Sequence, residues 1–320
     1  MTTEEKNNVE NYYQGIYVTE TILGNPNGSF VNNEPRNVKG RVFTTDKVIK
    51  YNIRSYIHER YEQITTDNGN NYQVDDFVFF YPRSNETAGE YEAKYLTKDS
   101  VFKKFFSNNF EEVLKKCPDC RMFGGTFSFA KDNKNVYGPI QLSYGLDIIG
   151  ADIINIQIGT PFSTKDGQQK TKGEEKVVDN AVIAYDITVN PNNAPGLLKE
   201  RDLNLFKESI FSGTNLRRST SKKTESKLLM MIKFKGGKTL NMGELKHLIS
   251  VDSQKVTDSN ETSRELVLDM SKVVDKINKF SDVFSSIEVY KANHVKLTNF
   301  FDNEEDKLKV KEISDLAGVN

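Results

Sequence analysis

The stretch from Tyr13 to Tyr61 constrains this chain most, because its residues lay out as a strand, a glycine- and asparagine-rich loop and a helix. The expected strand runs from Tyr13 to Ile22, with Ile16, Val18 and Ile22 on one face and Tyr13, Tyr17, Thr19 and Thr21 on the other. One side should face a core and the other should be amphipathic. The loop Gly24-Asn25-Pro26-Asn27-Gly28 tolerates tight or left-handed backbone and leaves amide groups free to meet an anion. Three cations follow within six residues: Arg36, Lys39 and Arg41, around Gly40. A helix then starts at Thr45 or Asp46, either able to cap it, and runs to about Tyr61, with Ile49, Ile53 and Ile57 as its buried stripe. Lys47, Lys50, Arg54 and His58 fall within about 80° of one another at about 100° per residue, forming a single cationic ridge.

A basic ridge on an amphipathic helix is usually only its solvated face. The preceding cationic loop shifts that balance, because two adjacent basic elements with few carboxylates between them suit a polyanion backbone. Global charge adds nothing, since 44 Lys and Arg stand against 45 Asp and Glu, for a net charge of -1. Any nucleic-acid binding must come from local segregation of charge. At 320 residues the chain can bury a substantial core, as one large domain with insertions or as two domains. No apolar run has membrane length and Met1–Asn11 is polar and acidic, so a cytoplasmic protein with no membrane partner is expected.

Further along, residues 76–81 read as a strand or a buried aromatic run, and Asp99–Lys116 as one helix or a broken pair with a phenylalanine-rich core stripe. Residues 63–117 therefore look like an insertion. Cys117 and Cys120 are the only cysteines, and the three histidines lie far off in sequence, so the pair reads as small buried residues and no metal or other cofactor is expected. Arg121–Ala130 and Tyr137–Gly145 read as two strands, with Gly124-Gly125 permitting close approach of another backbone or a phosphate. Arg121, at the start of the first, is a phosphate clamp or a structural ion-pair partner. Ile148–Ile158 and Ala181–Val189 are β-branched strands flanking a polar excursion. Asp202 should cap a short helix ending at Gly213, and Arg217, Arg218, Lys222 and Lys223 then cluster among hydroxyls, as a phosphate-rich strand requires. A strand at Leu228–Phe234 is followed by helical patterns at Met242–Ser250 and Leu266–Phe280, a strand at Val283–Val289 and a charged stretch at Asp302–Lys311.

The order of these motifs resembles a known family. Gly24-Asn25-Pro26-Asn27-Gly28, Pro35-Arg36, Gly40 and the helix carrying Ile53-Arg54-Ser55-Tyr56-Ile57 resemble the N-terminal signature of the backbone subunit of type I CRISPR Cascade complexes, closest to the I-B branch. Cys120–Gly125, Tyr137–Gln141, Asn190-Pro191 and the Asp202–Gly213 helix with its basic exit continue the match in order, over roughly Tyr12 to Phe234. The resemblance implies membership of the RAMP superfamily. It also implies an α+β fold: a single ferredoxin-like or RRM-like palm over residues 1–320, with fingers at 63–117 and a thumb loop at 159–178 carrying Phe162, Lys165, Lys170 and Lys172.

A strand and helix order of this kind suits a sheet with helices on one face and the other open to a ligand. The implied function is a structural subunit that polymerises along a CRISPR guide RNA. Its partners would be the guide, copies of itself, other Cascade subunits and, through the guide, target DNA. Sequence-neutral binding requires phosphate contacts, for which the candidates are Asn25, Asn27, Arg36, Lys39, Arg41, Lys47, Lys50, Arg54, His58, Arg121, Arg217, Arg218 and Lys222. No P-loop, paired-carboxylate or nucleophile constellation is present, so no catalytic residue is expected. The alternative is a RAMP-type endoribonuclease that processes precursor RNA with His58 as general base.

Overall fold

The computed structural model describes residues 7–66, 72–85, 95–129, 132–159, 172–252, 265–301 and 310–312. Strand β1 (Tyr13–Gly24) leads through a loop to the hairpin β2 (Asn37–Val38) and β3 (Arg41–Thr44), then to helix α1 (Asp46–Arg60). The hairpin β4 (Gln63–Thr66) and β5 (Tyr72–Asp75) precedes α2 (Lys98–Phe106), α3 (Phe110–Lys116) and α4 (Pro118–Phe123). Next come β6 (Gly124–Phe129), β7 (Asp132–Tyr137), β8 (Ile140–Leu142), β9 (Gly145–Asp147), β10 (Ile153–Gly159) and β11 (Lys172–Val189). Helix α5 (Glu200–Leu216) and β12 (Glu225–Phe234) complete the central unit. The C-terminal third adds β13 (Ser250–Val251), β14 (Leu266–Asp269), α6 (Ser271–Asn278), β15 (Phe284–Lys291), β16 (Val295–Thr298) and β17 (Val310–Glu312).

A large, mainly antiparallel sheet holds the molecule together in the order β17-β15-β12-β1-β11-β9-β3-β2, with β8 and β10 also paired to β11. At its centre β1 pairs with β11, Tyr17 opposite Tyr185, and with β12, Tyr17 opposite Leu229. Alternation along these strands sends Tyr13, Tyr17, Ile183, Tyr185, Leu229 and Met231 into a core beneath α1 and α5. Ile16, Val18, Val182, Ala184, Leu228, Met230 and Ile232 enter a second core beneath the C-terminal third.

The second core corrects the expectation of an open sheet face. Those residues are so uniformly apolar that water on that side would be costly, and a short 3-10 turn at Leu245–Leu248, the small sheet β13-β14-β16 and α6 cover it. On the Tyr17 face Thr19 and Thr21 are also buried, so β1 is covered on both sides instead of having an amphipathic one, and only Ile22 and Leu23, near its end, are exposed. Tyr17 survives burial because its hydroxyl donates to the Ile210 carbonyl (3.0 Å) and hydrogen-bonds with Ser226 Oγ (2.7 Å).

Other expectations shift locally. Residues 76–81 are an irregular aromatic run rather than a strand, because their amides are claimed by side chains: Val78 donates to Glu62, and Phe79 and Phe80 donate to Asp119. The phenylalanine-rich segment is the broken pair α2 and α3, with Ser107 in the left-handed region at the break. Its rings build a third core with Phe77, Phe79 and Phe127. Arg121 lies in α4 rather than in a strand, and the strand after Phe129 begins at Asp132, well before Tyr137. Helix α5 starts at Glu200 and continues past Gly213. A Cβ at Gly213 would stand 2.6 Å from the Asn52 carbonyl oxygen, so this glycine lets α5 lie against α1 rather than ending the helix. Leu266–Asp269 is a strand before a helix, and the Met242–Ser250 pattern yields only the 3-10 turn and β13.

Candidate nucleic-acid interface

The two cationic segments of the sequence, far apart along the chain, meet at the start of α1. The Asn25 amide donates to the Ser221 carbonyl (2.7 Å), and Lys222 Nζ donates to the Asn25 carbonyl (3.2 Å). This approach is close enough that a Cβ on Gly24 would lie 2.9 Å from Ser221 O. On the other side of the loop, Asn27 Oδ1 accepts from the Thr45 amide (3.0 Å) and hydroxyl (3.2 Å), tying the loop to the N-cap of α1. Pro26, Val48, Asn52, Thr214, Arg217 and Lys222 line a small cleft where these elements join. Burial and the nearby Arg217 guanidinium push the Lys222 ammonium pKa down.

The candidate residues divide by what holds them. Lys39 and Lys47 are exposed, and among the described residues neither has a side-chain partner; Lys223 is the same. Arg41 Nε donates to the Asp147 carbonyl (2.9 Å), and Arg36 lies over the Phe30 ring, 5.3 Å from its centre, with its Nε buried and unpartnered. Arg217 Nη1 donates to neutral Asn52 Oδ1 (3.0 Å). Asn25 itself is buried, its Nδ2 donating to the Asn33 carbonyl.

The other cations face carboxylates. Lys50 pairs with Asp46 (3.0 Å), and Arg218 with Glu225 (2.7 Å). Burial alone would raise the Glu225 carboxyl pKa, but Lys227 and Arg218 hold it down to about 2. Arg54 Nε donates to buried Asp119 (3.1 Å) and packs over Phe80 and Phe123. His58 Nδ1 meets Glu62 Oε1 (3.0 Å), a carboxylate that Arg83 also holds. The ridge seen in the sequence is thus broken: Lys47 faces water, whereas Arg54 and His58 fasten α1 to the aromatic insertion.

Arg121 takes the structural one of its two roles. It is 7% exposed, donates to both oxygens of Asp202 (2.8 and 2.7 Å) and caps the carbonyls of Leu114 and Lys115. Beside it Gly124 has φ +62°, and a Cβ there would stand 2.1 Å from Val136 O, while one on Gly125 would meet the Phe80 ring, so the first glycine serves backbone crossing and the second aromatic packing. Cys117 and Cys120 are buried, which raises both thiol pKa values. With Asp119 they form a compact group, yet both Asp119 oxygens already accept from Phe79, Phe80 and Arg54. Of the thumb residues, Phe162, Lys165 and Lys170 lie outside the described residues, as does the side chain of Lys172.

Sequence reasoning missed three participants: Asn52, which holds Arg217, Tyr51, which lies beside Arg217, and Tyr81, which stacks on Tyr51. The placement of Tyr51 between Lys47 and Arg54, on the exposed side of α1, was the available signal.

The family model of CRISPR-associated protein Cas7 matches residues 11–275. No curated protein sequence matches the chain. Among solved structures, a chain of a CRISPR RNA-guided surveillance complex in its pre-nicking form has a TM-score of 0.50 at 10% identity, covering 95% of this chain and 96% of that one. A chain of another CRISPR RNA-guided surveillance complex has a TM-score of 0.49 at 8% identity, covering 94% of each. A chain of a type III-B Cmr-beta complex bound to cognate target RNA has a TM-score of 0.40 at 10% identity, covering 70% of this chain and 61% of that one.

Proposed function

The chain belongs to the CRISPR-associated protein Cas7 family, and from that premise we propose that it is a structural RNA-binding subunit that lines up in copies along a CRISPR guide RNA. Its task is to hold the guide by the backbone and leave base edges free to pair with target DNA. Spacer sequences differ, so the protein must bind without reading them, and ammonium and guanidinium groups on phosphates meet that need. The observation that carries the proposal is the meeting of the Gly24–Gly28 loop, the start of α1 and the basic loop after α5. Lys47, Lys222 and Lys223 on these elements, and Lys39 in the turn of the β2–β3 hairpin, make no ion pair with a carboxylate among the described residues. Asn25, Asn27 and Arg217 belong to the same junction, and the proposal extends the surface to Arg36, Arg41 and Arg218.

The same proposal includes an RRM-like palm, the I-B branch, a thumb at 159–178, other Cascade subunits as neighbours and a cytoplasmic location. Among the described residues no helix is long and apolar enough to cross a membrane. A nuclease reading would need His58 as a base; its engagement with Glu62 and the Tyr81 ring supports a role in fastening α1. We therefore assign no catalytic step.

The test is purification at low salt, the absorbance ratio at 260 and 280 nm, and sizing of any extracted RNA. RNA of mixed sequence in regular length steps is expected. Protein free of RNA that also ignores added single-stranded RNA would overturn the proposal.

A further inference from the structure

Four planar side chains form a row on the outer side of α1. The Arg217 guanidinium carbon lies 4.6 Å from the centre of the Tyr51 ring. Tyr51 and Tyr81 rings are 5.8 Å apart and 28° from parallel. Tyr81 and His58 rings are 4.4 Å apart and 31° from parallel. Tyr51 and His58 are seven residues apart, two helical turns, and so share a face on which Tyr81 settles from the aromatic insertion.

Both ends of the row are fixed. Arg217 is held by Asn52, itself buried and bonded to Thr214 Oγ1 (3.3 Å). His58 is held by Glu62, which Arg83 clamps in turn. Core packing does not account for the row, since Tyr51 is 36% exposed. The partner of Arg217 is a neutral amide and an aromatic face, so its charge is not cancelled while its plane is set.

We propose that the Arg217–Tyr51 end of this row is a stacking site for an unpaired nucleobase of single-stranded RNA, with Arg217 acting as a planar surface rather than as a phosphate clamp. The site rests on the RNA-binding reading above and adds a base contact to it. Stacking on guanidinium and tyrosine planes is indifferent to sequence because every base has a π-face, so the contact is compatible with a changing guide. Lys47, one helical turn before Tyr51, and Lys222, beside Arg217 in the cleft, supply charge for the adjoining phosphates.

The chain has no tryptophan, so Tyr51→Trp places a sole indole reporter in the row. This variant is titrated with a mixed-sequence single-stranded RNA and with an abasic RNA of equal length. Quenching by the intact RNA and none by the abasic one is expected. Arg217→Lys keeps the charge but not the plane: it should weaken intact RNA by about 5- to 150-fold, leave the salt slope unchanged and leave abasic RNA unaffected. Indole emission of the Tyr51→Trp variant unmoved while RNA binds, or Arg217→Lys binding both RNAs as the natural protein does, overturns the stacking site and leaves the RNA-binding reading intact. Failure of the natural protein to bind either RNA overturns both.

Discussion

Replacing Lys39, Lys47, Lys222 and Lys223 together with Gln tests whether cations without a carboxylate partner, rather than all cations, hold the guide. These four ammonium groups make no ion pair with a carboxylate among the described residues, whereas Arg54 and Arg121 are spent on Asp119 and Asp202. Each phosphate contact to a single strand contributes about 0.7 to the slope of log affinity against log salt, so four contacts account for about 2.8. Between about 50 and 200 mM salt, that slope alone weakens binding by about 50-fold, and the variant should escape this loss. The assay is a fluorescence-anisotropy titration of a labelled single-stranded RNA at several salt concentrations, with far-ultraviolet circular dichroism as the folding control. Arg54→Gln should keep the natural slope while losing stability. A folded quadruple variant with the natural slope, or an Arg54→Gln variant that loses as much slope as the quadruple one, would refute the division.

Removing one partner of the buried Arg121–Asp202 pair, by Asp202→Ala or Arg121→Met, should cost about 3–5 kcal/mol, and the double variant less than the sum, in guanidinium chloride denaturation; simple additivity would contradict the coupling. Gly213→Ala should destabilise by about 1–3 kcal/mol, because its Cβ meets backbone on α1, and an unchanged melting temperature would argue against that close crossing. Burial alone would raise the Glu62 carboxyl pKa, but hydrogen bonds from His58, Arg83 and the Val78 amide hold it at about 2, below its usual 4.5. Its contribution to stability is therefore complete above about pH 4.5 and lost as pH falls toward 2. Glu62→Gln should shallow the acid limb of the stability curve over that interval, and identical acid limbs would exclude Glu62 as a source.

Elements set by local pattern were legible in the sequence. The stripe Ile49, Ile53, Ile57 and Thr45 at the N-cap position placed α1 to within a residue, β-branched runs located β1 and the second half of β11, and the apolar run Leu228–Phe234 located β12. Features that depend on distant partners were not. Nothing near Arg121 indicates that Asp202, 81 positions on, will claim it, and nothing near residues 77–80 indicates that Glu62 and Asp119 will take their amides. The covered second sheet face was missed for a related reason. Strands such as Leu228–Phe234 are apolar on both sides, yet the segments that cover them are short and weakly patterned. At the candidate site the cations were visible as charge; Lys50, His58 and Arg218 are taken by carboxylates four to seven residues away, whereas Arg54 and Arg121 are taken by carboxylates far along the chain, which no local pattern announces.

Strand β11 is 18 residues long, about 55–60 Å at the usual rise per residue. Its second half lies at the centre of the sheet against β1, while before Val178 it runs on paired with β10, tied by the Asp152 amide to Asp179 Oδ1 (2.9 Å) and by Lys176 to Glu34 (2.7 Å). One uninterrupted backbone therefore serves as both foundation and boom. Such a cantilever resists swinging, because tilting its outer half must twist the peptide planes that pair with β1. Load applied at the far end is passed straight into the most buried strands, and the reach of the arm is a fixed length rather than an adjustable one.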